Sequence, residues 1–285
     1  MSVVRSIMMV AGDKPRHLEK IPQLVADWAM VNLEDGVGDK QAARQLVAET
    51  LGAMDPAVVA ERVVIRINPM ERGGMKDLRA LSHLRPRAFR LPKVEDQETL
   101  HMALGMMDEA VELHFTVETR AAWNMLERFK IDNRVTTAYL GILDLMADLG
   151  IPQSLLKPDN PTIDYILAHF LIQCRSIDLL PVSFVYQDHR NLAELERWCE
   201  KVKAMGYTAK GCIAPAQAEV INRCFAPDPA ALARAQAIIS RFAAQREQGV
   251  TGFVDPDYGF IDEPIVRDAQ RLLQMSPREP SHADD

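Results

Sequence analysis

Charged and polar side chains follow several apolar runs of this chain, at the point where each run ends. They are Glu34, Asp35, Arg66, Asn68, Lys93, Glu95, Glu118 and Asp144. A single carboxylate in such a place often does no more than cap the next helix. Several charges on adjacent strands are costly to bury unless they bind a metal, one another or a ligand. Together they therefore predict a binding or catalytic site at the strand ends.

Two of these carboxylates, Glu118 and Asp144, follow neighbouring apolar runs. The residues gathered there include no cysteine or histidine, and oxygen ligands suit a hard cation that keeps some of its waters. This description fits Mg²⁺, and we predict that Glu118 and Asp144 are its ligands. Asp148, one helical turn further on, is expected to cap or brace its loop.

Eight apolar runs in the sequence are short enough to be buried strands. They cover residues 5–12, 28–35, 62–69, 88–94, 112–119, 136–145, 180–186 and 210–215. Runs rich in Val, Ile and Leu are typical of parallel strands that are covered on both faces. The segments between them have helical periodicity, as after Asn160 and Pro161, which suit a helix start. We therefore predict a (β/α)₈ barrel, and an open doubly wound sheet is the alternative, although no glycine-rich dinucleotide fingerprint follows the first strand.

The alternation of strands and helices stops near residue 226. We predict the barrel over residues 1–226 and a C-terminal helical and loop extension over 227–275. The polar residues 276–285 are expected to be a disordered tail. Glycines and prolines in residues 249–264 indicate an irregular arm or lid.

Composition excludes several classes of protein. With 285 residues, 48% of them hydrophobic, the chain can bury a sizeable core. A formal net charge of −7 argues against nucleic acid as the main partner. No apolar stretch is long enough to span a membrane, and the N-terminal run indicates a strand rather than a signal peptide, so we expect a cytoplasmic protein. The four cysteines lack the spacing of a zinc site, and we interpret them as reduced and structural.

Seven motifs occur in an order and at a spacing that resemble the citrate lyase beta subunit family of the HpcH/HpaI aldolase superfamily. They are "VNLEDGV", "VIRINP", "RLPKVED", "VETRAAW", "GILDLMADLG", "KGCIAPAQAEVINRCFAP" and "GFIDEPIVRDA". The resemblance covers roughly residues 4–273. It implies a TIM barrel, commonly trimeric, that makes or breaks a carbon–carbon bond between a 2-oxo acid and an acyl thioester, usually of coenzyme A.

Carried over residue by residue, the resemblance implies Glu118 and Asp144 as Mg²⁺ ligands and Arg66 as the substrate-binding cation. We also assign Glu34 and Asp35 to substrate binding. The favoured prediction is a Mg²⁺-dependent lyase that acts on a hydroxyacyl-CoA of the citramalyl-CoA, malyl-CoA or citryl-CoA kind. In cleavage, Arg66 can stabilise the thioester enolate that is released.

The resemblance also implies that Asp262, in "FIDEP", is a catalytic acid/base that a neighbouring subunit delivers. Asp262 would then exchange a proton with the enolate carbon. A head-to-tail contact of this kind predicts a closed homo-oligomer, a trimer or a multiple of it. Without the resemblance, a cap on the last helix is the favoured role of Asp262.

Three positions depart from the pattern of the family. Ala214 stands where the family usually has a histidine, Ser183 where an aspartate is frequent, and Leu143 at a usually acidic position. Because of these departures, a catalytically inactive binding subunit is one alternative to the lyase. The predicted metal ligands, however, are kept.

Two other enzymatic mechanisms are also considered. The first is an aldolase that splits free hydroxy-oxo acids, but no histidine follows the second strand, where that branch of the superfamily places its base. The second is Schiff-base chemistry through Lys93, which would need an apolar pocket to lower its pKa. Because Glu95 and Asp96 stand beside it, we expect Lys93 to be charged and structural.

Overall fold

A computed structural model describes residues 4–274. The predicted tail, 276–285, lies outside the described residues. The described chain divides into two compact units, residues 4–225 and 226–274.

Eight parallel strands close into a barrel in the first unit. Each strand pairs with the next one along the chain, and β8 pairs with β1. The strands are β1 Ser6–Ala11, β2 Trp28–Asn32, β3 Val63–Arg66, β4 Ala88–Leu91, β5 Glu112–Val117, β6 Val135–Leu140, β7 Leu180–Ser183 and β8 Ala209–Cys212. The predicted α/β barrel is therefore confirmed.

The helices of this unit connect the strands and flank the barrel. They are α1 Pro15–Leu18, α2 Lys40–Gly52, α3 Pro56–Arg62, α4 Gly74–Leu81, α5 Gln97–Leu104, α6 Arg120–Met125, α7 Ile142–Asp148, α8 Pro161–Ser176, α9 Leu192–Met205 and α10 Pro215–Cys224. Asn160 caps α8, because its side chain accepts hydrogen bonds from the backbone N–H groups of Thr162 and Ile163. The predicted start of α8 is thus confirmed.

Side chains of the strands fall into two buried clusters. Along β2, Met30 packs with residues of other strands such as Val64 and Val182, inside the barrel. Its neighbours Ala29 and Val31 belong to the larger cluster, which also contains the apolar faces of the helices. Because successive side chains of a strand point to opposite faces, this alternation separates the barrel interior from the layer beneath the helices.

The second unit contains two helices and a β-hairpin: α11 Pro229–Arg246, β9 Gly252–Asp255, β10 Gly259–Asp262 and α12 Glu263–Gln274. The prediction of an irregular arm over residues 249–264 is therefore wrong. The side chain of Asp255 accepts the backbone N–H groups of Asp257 and Tyr258 and so folds the turn between the strands. Gly259, with φ of +77°, begins the returning strand.

Within residues 4–274, no helix is long and apolar enough to cross a membrane. All four cysteines are free thiols, as predicted. Three of them, Cys174, Cys199 and Cys212, are buried. Burial raises the pKa of the Cys212 thiol to about 12, and a thiol of this kind is unreactive at neutral pH.

Candidate active site

Residues at the carboxyl ends of the strands form the candidate site. Arg66 is the last residue of β3, Glu118 directly follows β5, and Asp144 lies in the first turn of α7, after β6. In barrels of this type the carboxyl ends of the strands carry the chemistry. The predicted metal ligands therefore come from two neighbouring strands at the expected end of the barrel.

Glu118 is a buried carboxylate with few partners. It is 3% exposed, and its Oε1 accepts a hydrogen bond of 2.7 Å from the backbone N–H of Lys93. Among the described residues, no cation forms an ion pair with it. A buried carboxylate without a counter-ion is costly, so this position suits a bound cation.

Gly141 provides the space that the Glu118 side chain occupies. A Cβ atom at Gly141 would lie 2.5 Å from the Cβ and 2.8 Å from the Oε2 of Glu118. Gly141 is also the N-cap residue of α7, three positions before Asp144. The Glu118 carboxylate is therefore next to the turn that carries Asp144.

Asp144 is exposed at the beginning of α7. Asp148, at the end of the same helix, accepts the backbone N–H of Arg120 at 2.6 Å, and the Arg120 side chain donates to the Asp148 carbonyl oxygen. Asp148 thus braces the segment that follows Glu118. Two carboxylates, one of them buried without a counter-ion, fit a hard divalent cation that also keeps water ligands.

Arg66 points into the barrel, where its Nη2 forms an ion pair of 2.5 Å with Glu34. Asp35 is a weaker partner, because its side chain is 73% exposed and its carboxylate lies 3.7 Å from Arg66 Nη2. Burial raises the pKa of the Glu34 carboxyl, and the charge of Arg66 partly opposes that change. The structure thus brings together the three residues assigned to substrate binding.

The guanidinium of Arg66 keeps a donor without a partner. Its Nε is buried and has no hydrogen bond to any described residue. An unmade hydrogen bond from a buried charged group is costly. Pairing with Glu34 therefore leaves Arg66 able to bind one more oxygen.

Asn68, the other polar residue after β3, has a structural role. Its backbone N–H and its side-chain amide both donate to Asp77 Oδ2, at 2.8 and 2.7 Å. Arg44 pairs with the other oxygen of Asp77. These bonds hold the loop after β3 against α4, and they satisfy the Asn68 amide away from the site.

Two lysines, one after β4 and one within β8, differ in their surroundings. Lys93 is exposed, so it lacks the apolar pocket that Schiff-base chemistry would need. Lys210 in β8 is fully buried, and burial lowers its pKa to about 8. Its Nζ donates to the Phe184 carbonyl oxygen at 2.6 Å and lies 3.9 Å from the centre of the Phe184 ring.

Arg90 was not identified from the sequence, although it interrupts the apolar run "AFRLPKV". It is buried in β4, in register with Arg66 of β3. Its Nε donates to Thr116 Oγ1 at 2.9 Å, and its guanidinium lies 4.1 Å from the centre of the Tyr139 ring. A charged residue in the middle of a buried strand was the signal that could have found it.

The three departures from the family pattern are all at or near strand ends. Ala214 is the N-cap residue of α10 and has no side chain that could cap it. Ser183 ends β7, and its buried Oγ has no hydrogen-bond partner among the described residues. Leu143 is partly buried and packs against the core beneath the helices.

Asp262 ends β10 in the C-terminal unit. Its Oδ1 accepts the backbone N–H of Ile265 at 3.2 Å, so it caps the first turn of α12. On the same hairpin, Val254 and Phe260 form a cross-strand pair and are 77% and 60% exposed.

Comparison with known families gives a match over most of the barrel. Residues 5–215 match the model of the HpcH/HpaI aldolase/citrate lyase family. This chain belongs to that family. The predicted resemblance is therefore confirmed.

Relatives in the family include enzymes that act on coenzyme A thioesters. The chain is 31% identical to a (3S)-malyl-CoA thioesterase of Cereibacter sphaeroides over 252 residues, 86% of each chain. It is 28% identical to the mitochondrial citramalyl-CoA lyase of Rattus norvegicus over 297 aligned positions, 95% of this chain and 86% of that one.

A solved structure with the same fold is CitE from Mycobacterium tuberculosis in complex with magnesium, acetoacetate and coenzyme A. The TM-score is 0.77 at 22% identity, over 96% of this chain and 98% of that one. At this identity the likeness establishes the fold.

Proposed function

We propose that this protein is a Mg²⁺-dependent carbon–carbon lyase. It cleaves or forms a 3-hydroxyacyl-CoA of the citramalyl-CoA, malyl-CoA or citryl-CoA kind, with a 2-oxo acid and acetyl-CoA as the other reactants. The observation that carries the proposal is the buried, unneutralised carboxylate of Glu118 at the barrel mouth. A citramalyl-CoA lyase among the relatives supports the same reaction class.

In this proposal Glu118 and Asp144 hold the metal ion. A bound Mg²⁺ supplies Lewis-acid polarisation of the oxygens of a 2-oxo or 2-hydroxy acid. Gly141 is the residue that leaves the Glu118 carboxylate room beside α7.

Arg66 has the second role in the mechanism. Glu34 fixes one side of its guanidinium, and its Nε is the donor that remains for the substrate. In the proposed mechanism this N–H donates to the thioester oxygen. The preorganised cation thereby stabilises the negative charge that develops when the carbon–carbon bond breaks. The residue needs no reorganisation, because its ion pair already holds it inside the barrel.

Asp262 is the proposed acid/base, delivered by a second copy of the chain. It would return a proton to the enolate carbon in cleavage or remove that proton in synthesis. The exposed pair of Val254 and Phe260 supports an interface role for the hairpin that carries it, because contiguous exposed apolar surface is typical of interaction sites. A head-to-tail contact of this kind closes into a ring, for which we propose a trimer or a multiple of it.

The reaction is tested with purified protein, Mg²⁺ and a panel of 3-hydroxyacyl-CoA thioesters. Release of both a free 2-oxo acid and acetyl-CoA, abolished by a chelator and by Glu118→Gln, is the expected result. Release of free coenzyme A with an intact hydroxy acid would identify a thioesterase instead. Cleavage of free hydroxy-oxo acids without any thioester would identify the aldolase alternative.

The shared site is tested by complementation between two inactive variants. Asp262→Asn and Asp144→Asn subunits are mixed, allowed to exchange and assayed. Some interfaces of a mixed ring combine a wild-type Asp262 with a wild-type Asp144, so activity should return. If exchange is proven and no activity returns, Asp262 acts only as the cap of α12.

A further inference from the structure

A narrow cavity lies inside the barrel. Residues of six strands or their carboxyl ends line it: Ile7, Met9, Met30, Arg90, Tyr139, Leu140, Ser183, Val185, Gly211 and Cys212. Arg90 is the only charged residue among them. Neither Glu118 nor Arg66 lines this space, but Arg90 is in register with Arg66, and Leu140 directly precedes Gly141, which contacts Glu118.

The guanidinium of Arg90 is held in place but not neutralised. The Thr116 hydroxyl accepts from its Nε, and the Tyr139 ring packs against its face. No carboxylate within residues 4–274 forms an ion pair with it. Burial and the nearby charge of Arg66 lower the pKa of Arg90 to about 10, so it remains protonated at neutral pH.

The carboxylates near Arg90 contact other groups. Glu34 pairs with Arg66, and Glu118 accepts the backbone N–H of Lys93. Arg90 is in register with Arg66, so two cations stand side by side on β3 and β4, and within residues 4–274 only Arg66 of the two forms an ion pair. A buried cation without a counter-ion is costly unless an anion from outside the chain binds it.

A carboxylate is the ligand group that this arrangement recognises best. Arginine binds a carboxylate through paired N–H donors, and such charge-assisted bonds are the strong ones. The other lining residues are apolar or uncharged, and the narrow space suits the end of a short acid rather than a nucleotide.

We infer that Arg90 forms a second anion subsite, which binds a further carboxylate on the acid half of the substrate. The inference rests on the proposed lyase function, with the first carboxylate of the 2-oxo acid at the metal. It predicts a dicarboxylic 2-oxo acid as the natural reactant. An acid with a methyl group in the same place would leave Arg90 without a counter-ion.

The test compares two probe acids, freshly prepared oxaloacetate and pyruvate, which differ by one carboxylate. Calorimetric titration measures the binding of each free acid in the presence of Mg²⁺, and condensation with acetyl-CoA measures kcat/KM. The wild-type protein should prefer oxaloacetate in both measurements. Arg90→Met should weaken oxaloacetate binding about tenfold to a hundredfold, the usual loss for a hydrogen-bonded charge, and change pyruvate little.

Arg87→Met is the matched control. Arg87 precedes the same strand, β4, pairs with Glu112 and does not line the cavity. Like Arg90→Met, the Arg87→Met variant removes one positive charge, but it does so outside the cavity. The ratio of the affinities for oxaloacetate and pyruvate should therefore stay as in the wild type. If Arg90→Met does not fold, Thr116→Val provides the second variant: it removes the hydroxyl that positions Arg90, and the ratio should fall partway.

Two results would overturn the subsite: equal binding of the two acids by the wild-type protein, or an equal loss for both acids in Arg90→Met. These results stand apart from the lyase proposal. A protein that prefers the dicarboxylic acid but forms no carbon–carbon bond with any thioester would keep the subsite and lose the proposed function.

Discussion

The two ends of β5 carry carboxylates with opposite surroundings. Glu112, at the beginning of the strand, accepts hydrogen bonds from Thr136 at 2.6 Å, Arg87 at 2.9 Å and His114 at 3.1 Å. Glu118, just past the end, has one backbone hydrogen bond and no ion pair with any described residue. The same residue type is thus neutralised at one end of the barrel and left open at the other.

The closed end is a hydrogen-bonded network around Glu112, although Arg87 Nε has no partner among the described residues. His114 is fully buried, and its Nδ1 lies 3.2 Å from the Tyr139 hydroxyl while its Nε2 faces Glu112. Burial lowers the pKa of His114, and a neutral ring satisfies both contacts, with Tyr139 donating and Glu112 accepting. Burial alone would raise the pKa of Glu112, but its bonds from His114 and Thr136 and the charge of Arg87 lower it to about 2.

The open end lacks this closure. Arg66 keeps an unpaired Nε, as Arg87 does at the closed end, but Arg90 forms no ion pair with a carboxylate within residues 4–274, and no described cation pairs with Glu118. Buried polar groups are normally satisfied, and groups that are not require a reason. The comparison therefore supports the proposal that the beginning of the strands serves stability and that their ends bind ligands.

The largest expected effect at the open end is that of Arg66→Lys. Lysine keeps the charge but cannot bond Glu34 and the substrate with one planar fork. Loss of a preorganised oxyanion donor typically lowers kcat about a hundredfold to a thousandfold, and we expect a loss of that size in lyase turnover. Thermal unfolding should change little. Nearly unchanged turnover would mean that Arg66 serves only to neutralise Glu34.

The closed end should respond in stability and not in activity. Glu112→Gln removes the charge that bonds Arg87, and we expect the free energy of unfolding at pH 7 to fall by about 2 kcal/mol. Because folding lowers the pKa of Glu112, its contribution is present above its ordinary pKa of 4.5 and is lost as the pH falls toward 2. Denaturant titrations of both proteins should therefore converge in acid. A constant difference at all pH values would contradict the assigned network.

A smaller effect is expected at Lys210, a buried cation that belongs to neither end. Because burial lowers its pKa from 10.5 to about 8, the unfolded chain binds the proton more tightly, and stability rises with pH across that interval. Relative to Lys210→Met, the wild type should gain about 2 kcal/mol between pH 7 and 9.5. The difference between the two proteins removes the titration of the cysteines, which is common to both. A pH-independent difference would show that Lys210 is not buried as a titrating group.

The barrel could be predicted from sequence because each strand is a compact apolar run. The predicted runs extend too far at their carboxyl ends: residues 62–69 contain β3, which ends at Arg66, and residues 136–145 overlap β6, which begins at Val135 and ends at Leu140. The extra residues belong to the loops that follow the strands and carry the candidate site. Apolar residues in these loops made the predicted runs longer than the strands. The hairpin of β9 and β10 was missed because its apolar residues are few and partly exposed.

The site was predictable to a smaller extent. The pattern of polar residues after strands placed Glu118, Asp144, Arg66 and Glu34 at strand ends, since position along the strand is a sequence property, and their roles stay predictions. Which side chains pair with one another across the barrel cannot be read from the sequence. Asn68 has the position of a site residue in the sequence, but in the structure its side-chain amide donates to Asp77. The role proposed for Arg90 depends on the cavity that it lines, which the sequence does not show.

The most direct test of the contrast between the two ends is metal binding by a matched pair of variants, Glu118→Gln and Glu112→Gln. Each removes one carboxylate charge from the same strand, and titration with Mn²⁺ as the probe measures affinity without any substrate. We predict that Glu118→Gln weakens binding at least tenfold while keeping its free energy of unfolding, since its amide oxygen can still accept from Lys93. Glu112→Gln should bind the ion as the wild type does, although it is less stable. Unchanged affinity in Glu118→Gln, or equal losses in both variants, would contradict the account.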